Sequence, residues 1–315
     1  MPSDEHAAVL LLPELEGGRT VRPAEMRWLC RGTVRRRGDE SLDDLDRALG
    51  LLGLAAPAEG RAALRYWGQT GARPDGWLAL AEPVALEVRL NDLFVHGPAS
   101  TRLGEEELSY LFAYLSENLA GRGGVSFEIE QDSLYIFAAD PMATHQVTAD
   151  RVGRLSLRSM SGERAAQDSV LTEIEMLLHA ASINASREHD GQPAINSLWL
   201  SGGGCAPAVV QRNLPLLVAD DALFRGFWLS AAAPVQPWPA DAADFRPGAG
   251  FIAVAPPAAA LGPLLAQLRR MQASGDLHSI DLLFRDGVHV EVRPAHRFRF
   301  WRKRAYLCGV SKSRH

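Results

Sequence analysis

Between residues 184 and 204 the chain gathers three polar side chains and a glycine run: Asn184, Arg187, Asn196 and Gly202-Gly203-Gly204. An arginine fork can clamp phosphate or carboxylate through two parallel hydrogen bonds. Consecutive glycines can turn backbone N–H groups toward an anion, above all at the start of a following helix. The chemistry suggested is capture of a small anion, with the two asparagines holding the loop by side-chain to backbone bonds. The same residues also suit architecture, which is the preferred reading: staples between the 183–196 loop and the next strand, closed by a tight strand-to-helix turn of positive φ. The glycines match neither a P-loop, which needs Lys followed by Ser or Thr, nor a dinucleotide fingerprint, whose third glycine is replaced by Pro207.

Other candidates stand nearby. Cys205 follows the glycines, and a helix N-terminus lowers a thiol pKa, but no base accompanies it in sequence, so an inert thiol is expected. His179 is expected to cap a helix C-terminus, where a cation meets the dipole favourably, rather than to transfer protons. Trp199 lies in the apolar run INSLWL and is expected in the core. From Arg293 to His315 there are eight Lys or Arg and no Asp or Glu, interleaved with Phe298, Phe300, Trp301 and Tyr306. Arg297, Arg299, Arg302, Lys303 and Arg304 could contact phosphates while the rings stack on bases. The alternation Arg297-Phe298-Arg299-Phe300 also describes an edge strand with arginines in water and rings packed inward. In an acidic chain the edge strand is the expectation, and a nucleic-acid partner is not.

These residues must be positioned by a protein of 315 residues, 47% hydrophobic and 23% charged, with net charge −5. That composition suits a globular chain with a sizeable core and argues against a polyanion binder as a whole. Cys30, Cys205 and Cys308 form no C-x-x-C pair, so neither a disulfide framework nor a zinc ribbon is expected, and a reducing, cytoplasmic setting is. The start, Met-Pro-Ser-Asp-Glu-His, has no basic leader, and no apolar run approaches membrane-spanning length.

Along the chain, 7–12 (AAVLLL) predicts a buried strand. Residues 41–54 predict a helix with Ser41 as N-cap and Asp44 at the capping-box position. Alternation over 84–90 predicts a strand, followed by another over 92–95. Residues 105–120 predict a helix with an acidic first turn and a stripe of Leu108, Leu111, Phe112, Leu115 and Leu119. A hairpin is expected around Gln131-Asp132. Residues 1–76 should supply a strand and helices to the main sheet, 77–138 a small α+β module, 139–167 a linker, and 168–315 an α/β domain with a C-terminal hairpin and basic tail. Within the last block, helices are expected over 168–182, 221–230 and 258–273, strands over 195–200, 214–219 and 251–255, and a type I′ hairpin at Asp286-Gly287. Strands alternating with helices predict an α/β fold with a mixed sheet flanked by helices.

The run LTEIEMLLHAASINASREHDGQPAINSLWLSGGG (171–204) resembles a bacterial family labelled RpfE-type regulatory or phosphoglycerate-mutase-like proteins. WLALAEPVALEVRLNDLFV (77–95), LVADDALFRGF (217–227) and FRFWRKR (298–304) resemble other parts of it. More distantly, Asn184, Arg187, Gly191, Asn196 and Gly202 to Gly204 are similar to an N-x-x-R…G…AN run of archaeal-type cofactor-independent phosphoglycerate mutases. The resemblance implies a reduced alkaline-phosphatase-like fold. Those mutases need two divalent metals and a hydroxyl nucleophile, with Asp-Gly after the first strand and Asp-His pairs as ligands. Two adjacent cations demand several carboxylates and imidazoles. Here the first strand is followed by Pro13-Glu14-Leu15, and no Asp-His dipeptide exists. No metal, cofactor or catalytic residue is therefore expected. The expected function is a non-catalytic phosphoglycerate-mutase-like protein of regulatory or scaffolding role, with room for a protein partner and a small phosphorylated ligand. The alternatives are a metal-dependent phosphomutase or phosphoesterase, and a nucleic-acid-associated protein.

Overall fold

The computed structural model describes residues 7–15, 21–36, 43–89, 92–97, 101, 103–152, 169–241, 244–248 and 250–302. The chain divides into two compact units, Met1–Ala56 with Val209–His315, and Pro57–Ala208.

The first unit is built on seven strands: β1 (Ala7–Leu12), β2 (Thr33–Arg36), β8 (Leu216–Ala219), β9 (Val235–Gln236), β10 (Phe251–Val254), β11 (Ser279–Phe284) and β12 (Val288–Val292). Their order is β2-β12-β11-β1-β10-β8-β9. The central pairs β11-β1, β1-β10 and β10-β8 are parallel, while β11-β12 and β12-β2 are antiparallel. The mixed sheet flanked by helices is thus observed. β1 shows why its sequence is apolar throughout: Ala8, Leu10 and Leu12 enter one core, and Val9 and Leu11 between them are buried too. Strands covered on both faces carry no polar alternation. Against that core pack Met26 and Leu29 of α1 (Pro23–Arg31) and Leu261, Leu264, Leu265 and Leu268 of α9 (Leu261–Ser274). α8 (Ala222–Ser230) is capped by Asp221, whose side chain accepts from the Phe224 N–H.

α2 (Asp44–Leu51) starts later than expected. Its N-cap is Asp43, which accepts from the Asp46 N–H at 2.8 Å while Asp46 accepts from the Asp43 N–H. A short carboxylate at each position closes the box without glutamate; Ser41 lies outside the described residues. The β11-β12 turn is also corrected. Among its residues only Gly287 has positive φ (83°), and its N–H bonds to Phe284 O. A type I′ turn needs positive φ at both central residues, so this is a type I turn ending in a left-handed glycine.

The second unit holds an antiparallel five-stranded sheet: β3 (Trp77–Arg89), β4 (Asp92–His96), β5 (Val125–Glu130), β6 (Ser133–Ala138) and β7 (Ser197–Cys205). The order is β4-β3-β6-β5, with β7 also pairing with β3. β3 begins at Trp77, well before the expected 84, and includes the buried Glu82 and the residue Pro83. Leu111, Leu115 and Leu119 around α4 (Glu105–Asn118) pack with Ile174 and Leu178 of α6 (Ser169–Ala180), Trp77, Phe127, Ile136, Leu198 and Leu200. α3 (Arg61–Thr70) adds Tyr66, which donates to Glu128 at 2.7 Å; that bond, then burial, raises its pKa to about 12. Part of the expected linker is packed structure. The His145 N–H bonds to Leu200 O, its imidazole stacks on Trp199 at 3.6 Å, and α5 (Ala149–Val152) donates the Ala149 N–H to Glu82. Residues 153–168 lie outside the described residues.

Candidate functional site

Asn184 and Arg187 stand on the short helix α7 (Ile183–His189), and Asn196 just precedes β7. Arg187 is 2% exposed. Its Nε donates to Pro193 O at 2.9 Å, one Nη to Glu107 Oε1 at 2.6 Å, and the other to Thr101 O at 2.5 Å. Glu107 in turn accepts from the Gly104 N–H at the start of α4. The amide of Asn184 donates to Leu178 O and Ile195 O and accepts from the Ile195 N–H. Asn196 exchanges both of its bonds with the backbone of Leu86. The three side chains therefore tie α6, α7, the loop after it, α4 and β3 to one another. Glu107 and Thr101 were not predicted as partners. The only sequence hint was the position of Glu107 in the first turn of α4.

The glycines do not form a strand-to-helix turn. β7 runs on to Cys205, and the next helix begins at Ala222. Gly202 (φ 63°) and Gly204 (φ 143°) lie in the left-handed half of backbone space. Gly203 O accepts from the Gly60 N–H at 2.9 Å. A Cβ on Gly204 would sit 2.5 Å from Gly60 N, one on Gly203 2.6 Å from the Trp77 ring, and one on Gly60 2.4 Å from Cys205 O. Close backbone approach to residues 59–62 is what these glycines allow. Cys205 is exposed. His179 is exposed in the last turn of α6. Trp199 is 7% exposed and donates its Nε1–H to Val147 O.

The C-terminal residues depart from the expected edge strand. Pro294–Phe298 is a 3-10 helix, for which proline at the first position suits both φ and the missing N–H. His296 is buried, and its Nδ1 accepts from the Arg293 N–H. Burial, then Arg299, lowers its pKa, in keeping with a ring that must stay neutral to accept. Arg299 donates to Thr33 Oγ1 at 3.0 Å and Arg302 to Gly32 O. The rings that an edge strand would pack inward face solvent: Phe298 62%, Phe300 79% and Trp301 62% exposed. Lys303 and Arg304 lie outside the described residues.

Ligands of open α/β sheets collect beyond the C-terminal ends of the parallel strands. In the first unit those ends bring up Glu14, Asp220, Asp221, Arg285 and Asp286, none of them predicted as a site residue. Asp220 accepts from the Trp238 N–H, Asp221 caps α8, and Asp286 accepts from the N–H groups of Leu15 and Val288. Arg285 donates to Ala255 O at 3.3 Å, and its buried Nε has no partner among the described residues. Arg47, 8% exposed, donates to Phe284 O and Asp44. Asp220, Asp221 and Asp286 thus accept from backbone N–H groups. Among the described residues no group of three or more His, Cys, Asp or Glu could hold a metal ion.

No family model matches the chain, and no curated protein matches it. The RpfE-type resemblance thus gains no support from either comparison. Among solved structures the chain is similar to a cofactor-independent phosphoglycerate mutase from Thermoplasma acidophilum DSM 1728, at 15% identity, covering 90% of this chain and 88% of that one, with TM-score 0.42. It is also similar to the PH0037 protein from Pyrococcus horikoshii, at 14% identity, covering 91% and 87%, with TM-score 0.49. Likeness of this degree leaves every residue of the site unassigned.

Proposed function

We propose that this chain is a non-catalytic phosphoglycerate-mutase-like protein that works by binding, in a regulatory or scaffolding role. The observation that carries the reading is the employment of its polar groups. Arg187, Asn184 and Asn196, the residues that resemble the mutase run, spend their hydrogen bonds on backbone and on Glu107. A phosphate at Arg187 would have to displace bonds made by a buried guanidinium. At the strand ends of the first unit, Asp220, Asp221 and Asp286 accept from backbone N–H groups. Two-metal phosphoryl transfer needs a cage of anionic and imidazole ligands, and the described residues assemble none.

Mutase and phosphatase assays with added manganese test this directly. No turnover above the protein-free rate is expected. Turnover abolished by EDTA would establish the metal-dependent alternative instead.

A further inference from the structure

Three large apolar rings exposed to water within four residues are unusual unless something covers them. Phe298, Phe300 and Trp301 lie within four consecutive residues, and Phe300 and Trp301 meet edge to face at 5.4 Å. Their backbone is held from below. The 3-10 helix is fixed by the His296–Arg293 bond, and Arg299 and Arg302 reach back to Thr33 and Gly32. The rings are therefore presented outward on an anchored support. The exposed Arg297 places its guanidinium 4.8 Å from the centre of the Phe298 ring. The surrounding sequence is one-signed: Arg293 to His315 carries eight Lys or Arg and no acidic residue. The nearby Glu291 is paired with Arg293 and Arg35.

We propose that the surface of Arg297, Phe298, Phe300 and Trp301 binds single-stranded nucleic acid, the rings stacking on bases and Arg297 contacting phosphate. Every base offers a π-face, so such a platform is indifferent to sequence. The cations add an affinity that falls with salt. The position of Arg297 favours this occupant over an anionic bilayer. A Phe298 ring sunk among acyl chains would draw the adjoining charge with it, at a cost, whereas a stacked base leaves that charge at the phosphate. The site stands independently of whether the protein catalyses anything.

The test uses the full chain with a fluorescently labelled oligouridylate, the matching duplex, and phosphatidylserine vesicles, at low and moderate salt. The single strand should bind best and weaken as salt rises. Trp301→Ala should weaken binding about tenfold and F298A/F300A/W301A further, with the thermal midpoint unchanged because these side chains are exposed. Arg297→Ala should weaken binding and flatten its salt dependence. Absence of binding at low salt, equal binding by the triple variant, or binding to vesicles alone would each overturn the proposal.

Discussion

Arg187 shows how residue type and spacing can mark importance without naming its kind. An arginine flanked by asparagines suits a phosphate clamp as well as the preferred structural staple until its three acceptors are seen. Arg187→Ala would strand Glu107 and two backbone carbonyls. Glu107 is 30% exposed and can be solvated, so the cost comes mainly from the two stranded carbonyls and the lost packing, about 2 kcal/mol, which urea unfolding would register. Arg187→Lys should recover little, since one ammonium cannot reproduce a fork with three separated acceptors. A phosphate clamp would behave otherwise, with near-normal stability in both variants and loss of phosphate binding.

At the scale of elements the glycines divide cleanly. Gly204→Ala sets a Cβ 2.5 Å from Gly60 N at φ 143°, and backbone cannot yield as a flexible side chain would. Gly191 has φ 69° with nothing within 4 Å of an added Cβ. Gly191→Ala should cost about 1 kcal/mol from the left-handed conformation alone, and Gly204→Ala several times that, measured by thermal or urea unfolding of the two variants. The same contrast explains what was legible in the sequence. α4 and the 125–138 hairpin were readable because burial of one face imprints a period, and β1 because burial of both faces imprints an unbroken apolar run. The first half of β3 was not, because WLALAEP contains a buried Glu82 and a proline that tertiary partners accommodate. Arg297 to Phe300 misled for the opposite reason. It alternates like a strand, but Pro294 starts a 3-10 turn and the rings find no core to enter.

For the molecule as a whole, periodicity could not reveal that β1 takes β10 and β11 as its neighbours, nor that β3 takes β7. Those pairings bring together residues far apart in sequence and place the strand ends of the first unit around Arg285 and Asp286. They also fix which carboxylates are already engaged, and on that the non-catalytic reading depends. A ligand that binds the folded chain must raise its stability by mass action, so added manganese should leave the thermal midpoint where it was. The most direct measurement is the metal content of the chain after incubation with manganese or zinc and desalting. Far less than one ion per chain is predicted; two tightly held ions per chain would contradict the account.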